Sequence, residues 1–112
     1  MSMPEYEVII TPDAEADLEE IGDYIAFKLH EPEIAVRYLR DIREEIETLS
    51  TRAKHFRLVD EEPWHSRGQR RMNAKSFAVL YILIEDEEIV SVQNVIYQKR
   101  DIPRVLKERY GI

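Results

Sequence analysis

The chain has 112 residues, no cysteine, 44% hydrophobic residues and a formal net charge of −7. That length fits one domain spanning residues 1–112. The missing thiols exclude a disulfide framework and any thiolate metal site, and no apolar run approaches the roughly 20 residues a membrane helix needs. The charge argues against a nucleic-acid partner until it is divided along the chain: residues 1–50 carry 4 basic and 14 acidic side chains, residues 51–112 carry 12 basic and 9 acidic. Two readings follow: solvated acidic faces on exposed helices in the first half, or an acidic back with a basic working face.

Met1-Ser2-Met3-Pro4-Glu5 has neither a basic nor an apolar region of the signal-peptide kind, and a cytoplasmic protein is expected. Tyr6–Ile10 reads as a short strand. Thr11-Pro12 then starts a helix: the threonine hydroxyl can cap it, and proline suits the first helical position, where its missing N–H costs nothing. Ala14, Leu18, Ile21 and Ile25 form an apolar stripe on a helix reaching Leu29, with Gly22 allowing close approach of the next helix. His30-Glu31-Pro32 breaks it and begins a second helix, striped by Ala35, Tyr38, Leu39, Ile42, Ile46 and Leu49. So short a connection predicts an antiparallel helical hairpin. Arg37, Arg40 and Arg43, set among carboxylates, read as pairs lacing its exposed face.

Residues 50–67 lack periodicity and hold Lys54, His55, Trp64 and His65. Trp64 reads as a cap on the core or, alternatively, as a stacking surface; the histidine spacing matches no metal motif. From Gly68 to Asp101 the pattern is a three-stranded antiparallel meander, with turns at Asn73-Ala74-Lys75 and at Glu85–Glu88 and its most buried run at Phe77–Ile84. Ile102–Tyr110 reads as a short terminal helix ended by Gly111. The fold class is therefore α+β: strand, helical hairpin, meander, short helix.

Three stretches in this order resemble the RelE/ParE superfamily of bacterial type II toxins. They are Ile10-Thr11-Pro12 with the Asp17-Leu18…Tyr24-Ile25 helix, Arg70-Arg71-Met72 before Phe77-Ala78-Val79-Leu80-Tyr81, and Val95-Ile96-Tyr97-Gln98-Lys99-Arg100-Asp101. The resemblance covers nearly the whole chain. It implies a small toxin of the kind found in plasmid-stabilisation modules, neutralised by a cognate antitoxin in a hetero-oligomer. The target is then either the ribosome, where mRNA is cleaved without a metal or cofactor, or DNA gyrase, which is inhibited without nuclease chemistry. A fold that has kept its binding surface and lost toxicity is the alternative.

RNA cleavage needs a base, an acid and cations for the phosphorane. Arg70 and Arg71 fall on opposite faces of their strand, so one of them can line a given site; Arg71 is favoured, because Met72 then shares the opposite face with Arg70. Tyr97 stands where some relatives have histidine, and a phenol, ionising near about 10, shuttles protons less readily than imidazole. The catalytic candidates are Arg71, Tyr97 and Lys99, with Tyr97 and Lys99 pointing the same way if the strand stays regular. Lys54, His55, Arg70, Lys75 and Arg100 are the candidates for binding nucleic acid or another target. Tyr81, ending the most apolar strand, reads as core. An antitoxin helix followed by an extended piece is expected to cover Arg70, Arg71, Lys99 and Arg100 together.

Overall fold

The computed structural model describes residues 5–111; Met1, Ser2, Met3 and Pro4, which entered the reading of the leader, lie outside them. Its elements run β1 (Glu7–Ile10), α1 (Pro12–Asp23), α2 (Pro32–Glu47), α3 (Leu49–Arg52), β2 (Gln69–Ala74), β3 (Phe77–Ile84), β4 (Ile89–Tyr97) and α4 (Ile102–Tyr110). The expected order is thus observed. The start of α1 forms as the residue types dictate: Thr11 Oγ1 accepts the Ala14 N–H at 3.2 Å, and Pro12 occupies the first turn. α1 runs on into a π turn at Tyr24–Lys28, where the Leu29 N–H reaches the Tyr24 carbonyl at 3.2 Å. At α4 the Asp101 carboxylate caps the Arg104 N–H, and Gly111 closes the helix at φ +70°.

The sheet has the order β1-β4-β3-β2, with β1 parallel to β4 and the other pairs antiparallel. Alternation sorts its side chains between two faces. Met72, Ala74, Val79, Tyr81, Val90, Val92 and Val95 pack beneath the α1–α2 hairpin, against Ala14, Leu18, Ile21, Ile42 and Ile46. Ala78, Leu80 and Ile96 point the other way, under Trp64 and the α4 residues Ile102, Val105 and Leu106. Trp64 is therefore core of the second face rather than an open stacking surface. The hairpin is close-packed where Gly22 permits it: a Cβ there would stand 2.6 Å from Leu39 Cδ1. Arg40 pairs along the exposed face with Glu44, whereas Arg43 crosses to Glu15 and ties α2 to α1.

Three local features differ from the sequence reading. Asn73 and Ala74 belong to β2, paired with Ala78 and Phe77, and the turn is confined to Lys75-Ser76, with Lys75 at φ +55°. The register of β3 on β4 shifts between Leu80 and Tyr81, so Leu80 faces Asn94 while Tyr81 faces Val92, and Gln93 is a bulge residue. The segment before β2 is not a free linker: Val59 N–H bonds Gln69 O at 2.8 Å, Leu58 bridges Arg70, and Gln69 N–H bonds Trp64 O at 3.0 Å.

Candidate functional site

Under the hairpin, the sheet has a closed end and an open end. At the closed end Tyr81 is 0% exposed and its hydroxyl donates to the Ala53 carbonyl at 2.6 Å. Burial pushes its pKa up to about 12, against the opposing influence of Arg70 and Arg52. Arg70 shares this face and donates to the Phe56 carbonyl. Lys54 is paired with Glu85 at 2.9 Å, which raises the lysine pKa and lowers that of the carboxylate. His55, next in the chain, is exposed, and no hydrogen bond or ion pair from its ring exists among the described residues.

Arg71 lies on the other face, its Nε donating to Asn73 Oδ1 at 2.9 Å, beside a small cavity of about 50 Å³ lined by Trp64, Gln69 and Leu80. Lys75, in the hairpin turn, reaches Asp41 at 3.4 Å and sits 5.8 Å from the Tyr38 ring centre. These interactions engage most of the candidate cations within the fold itself.

The open end is different. Tyr97 pairs with Phe77 in register, which puts it on the hairpin side, with ring centres 5.8 Å apart. β4 ends there; Lys99 and Arg100 lie in the turn that follows. Regular alternation therefore stops before Lys99 and sets no common direction for it and Tyr97. Neither Lys99 nor Arg100 has a side-chain hydrogen bond or ion pair among the described residues. Tyr97 and Arg100 line a groove of about 850 Å³, walled by Tyr24, Ile25, Leu29, Ile34, Tyr38 and Phe77.

The groove is bounded at its far end by a polar cluster. Asp17, 5% exposed, accepts the Val95 N–H at 2.9 Å and a hydrogen bond from Arg109 at 2.8 Å. Burial raises its pKa, a shift only partly offset by those two donors. Tyr110 donates to Asp13 and accepts from Asn94, both at 2.7 Å, so the end of α4 is fastened to α1 across the sheet edge. Sequence reasoning placed Asp17 on the first helix without a partner and gave Arg109 and Tyr110 no role beyond the terminal helix. It also missed Tyr24, Leu29 and Ile34 as groove residues. The signal for Tyr24 was present: a large aromatic off the Ala14-Leu18-Ile21-Ile25 stripe.

A family model described as "ParE toxin of type II toxin-antitoxin system, parDE" matches residues 8–102. This chain belongs to that family. It is a ParE-type toxin of a type II toxin–antitoxin system, within the RelE/ParE superfamily that the sequence resembles. Comparison with curated proteins gave no significant match. Among the solved structures that share its fold are two from toxin–antitoxin systems. One is a chain from the chromosomal ParDE toxin–antitoxin system of P. aeruginosa, with TM-score 0.70 and 21% identity, covering 83% of this chain and 96% of that one. The other is a chain of the RelBE2 toxin–antitoxin complex of Mycobacterium tuberculosis, with TM-score 0.57 and 17% identity, covering 84% and 99%.

In this ParE-family toxin, Arg71 and Tyr97 stand on opposite faces of the sheet. Their registers place them about 10 Å apart along the strands and about 10 Å across two strand spacings. Such a pair does not converge on one phosphate. Among the described residues, no cluster of three or more His, Asp or Glu side chains gathers that could hold a metal ion, and no helix is long and apolar enough to cross a membrane.

Proposed function

We propose that this toxin is neutralised by a cognate antitoxin and acts by binding DNA gyrase rather than by cleaving mRNA. The observation that carries this reading is the split of the candidate chemistry between the two faces. Arg71 and Tyr97 are separated by the sheet, Arg70 donates to the Phe56 carbonyl, Lys54 is paired with Glu85 at the surface, and Tyr81 is sealed with its pKa raised to about 12. Left without a hydrogen bond or ion pair among the described residues are the exposed His55 and, at the open end, Tyr97, Lys99 and Arg100, of which Tyr97 and Arg100 line an apolar groove. Aromatic and arginine side chains around an apolar depression make a protein-binding surface. On this reading that turn contacts the target, and the antitoxin neutralises the toxin by covering the same turn.

The test is a paired assay on purified toxin. One arm follows supercoiling by gyrase, the other the integrity of an mRNA in a translating extract. Supercoiling should fail while the mRNA stays intact, and Arg100→Ala or Tyr97→Ala should raise the toxin concentration needed by about tenfold, as expected for residues central to an interface. Cleavage of the mRNA on ribosomes with gyrase unaffected overturns the reading and returns Arg71, Tyr97 and Lys99 to mutagenesis as catalytic residues. Inactivity in both arms, with the protein folded, supports a binding domain that has lost toxicity.

A further inference from the structure

On the α4 face of the sheet one buried polar atom has no partner. The Gln69 side chain is 3% exposed, and its Oε1 is the sole buried side-chain nitrogen or oxygen without a hydrogen bond among the described residues. The backbone of the same residue is fully used. Its N–H donates to the Trp64 carbonyl at 3.0 Å, and its carbonyl accepts the Val59 N–H at 2.8 Å. An acceptor sealed from solvent without a donor bears its whole desolvation cost, and folded proteins nearly always satisfy such atoms, with ordered water where no side chain reaches.

Gln69 lines the cavity of about 50 Å³ beneath α4. Trp64, Leu80 and Leu106 give that cavity apolar walls, and Glu61 and Arg71 are its charged lining residues. Arg71 uses its Nε on Asn73 Oδ1, and its two terminal nitrogens have no acceptor among the described residues. Glu61 and Arg71 make no direct ion pair there.

The lining selects its occupant. A cation suits the Gln69 oxygen and Glu61 but is repelled by Arg71. An anion suits Arg71 but is repelled by the other two. An apolar group leaves Oε1 as it stands. A small neutral molecule that both donates and accepts suits all three. A water, whose share of liquid volume is about 30 Å³, fits singly.

We infer that one water is held here as part of the fold. It donates one hydrogen to Gln69 Oε1 and the other to the Glu61 carboxylate, and its oxygen accepts from a terminal nitrogen of Arg71. The water ties the 58–68 segment to β2 under α4. It also fixes Arg71 from the side opposite Asn73, so that this guanidinium is a positioning group of the second core. The inference is independent of the toxin's target and of its antitoxin.

The test is water-selective NMR on the ¹⁵N-labelled toxin. The Gln69 side-chain amide protons should show a rotating-frame cross-peak to water with the sign of a dipolar contact, opposite to that of proton exchange. Resolved amide protons with no cross-peak, or with one of the exchange sign alone, overturn the proposal. Stability supplies a second sign. Gln69→Leu removes the acceptor and keeps an apolar side chain of similar reach. With the water in place it breaks a satisfied hydrogen bond, and the urea midpoint should fall; a midpoint that rises means an orphaned acceptor was removed and overturns the proposal. Gln69→Leu combined with Arg71→Met should lower the midpoint by less than the sum of the single shifts, because each substitution already loses the same water. Additive shifts overturn the bridge to Arg71. Should a variant fail to fold, the cross-peak in the unaltered toxin decides.

Discussion

Tyr81 and Tyr97 face the same side of the same sheet, four residues of β3 apart in register, yet one is 0% exposed and the other 40%. Alternation treats them alike. What separates them is the chain passing over each end. The 53–58 segment folds back across Tyr81, supplying the Ala53 carbonyl to its hydroxyl and the Phe56 carbonyl to Arg70. Among the described residues nothing equivalent crosses Tyr97, where α1 loosens into its π turn and α4 departs on the opposite face. A tyrosine with its hydroxyl spent on a backbone carbonyl belongs to the fold, and one beside an apolar groove is available to a partner.

Substitutions measure that difference directly. Tyr81→Ala should lower the unfolding free energy by about 3–5 kcal/mol in urea titrations, the range for emptying a buried aromatic site. Tyr81→Phe should cost about 1–3 kcal/mol, because the Ala53 carbonyl then loses its donor. Tyr97→Ala should cost less than about 1 kcal/mol, since the ring contacts Phe77 but stays half in solvent. A Tyr97→Ala cost equal to that of Tyr81→Phe would erase the distinction between the ends.

The open end has its own fixed point, and Asp17→Ala breaks it. The substitution strands the Val95 N–H and leaves Arg109 without its partner, at an expected cost of about 2–3 kcal/mol. It also frees the edge of β4 next to the groove. Amide exchange at Val95 should then rise in the free toxin while the Tyr81 region keeps its protection. Uniform loss of protection over the whole sheet would mean that the two ends open as one unit.

The elements were legible because each is written in a short-range signal. Thr11-Pro12 and His30-Glu31-Pro32 mark helix starts, the stripes from Ala14 and Ala35 mark a hairpin, and the run Phe77–Ile84 marks a central strand. The superfamily followed from the same stretches. The assembly of the candidate site was not legible, for three physical reasons. The bulge at Gln93 resets alternation along β4, so no count from one end of the strand fixes the other. β4 stops at Tyr97, which removes the parity expected to link it with Lys99. The partners of Lys54, Arg70 and Lys75 are Glu85, the Phe56 carbonyl and Asp41, groups between 14 and 34 residues away in sequence or on the backbone, and no local pattern announces them. Tyr24 was the exception that could have been read, an aromatic outside the apolar stripe of its own helix.

The smallest effects are the pH dependences, and they separate the two kinds of carboxylate by sign. Asp17 is raised by burial, so the native state holds its proton more tightly than the unfolded chain does. Its favourable contribution is fully present below the ordinary aspartate range, near about 3.9, and is lost as pH rises through the raised value. Asp17→Asn abolishes that titration, although its single amide oxygen keeps only one of the two acceptor contacts and turns an NH2 toward the other donor. Its stability relative to the wild type should therefore improve as pH rises through this window. Glu15 behaves in the opposite way: its hydrogen bond and charge interaction with Arg43 hold it below the ordinary glutamate range, against some burial. The Glu15–Arg43 pair is exposed and contributes less than about 1 kcal/mol, all of it above that range, and it fades as pH falls through the lowered value. Arg43→Ala and the wild type should then converge in acid, where Asp17→Asn and the wild type diverge. Urea midpoints at four or five pH values between acid and neutral test both slopes. Parallel slopes for the two variants would mean that Asp17 is governed by its pairing with Arg109 instead of by its burial at the edge of β4.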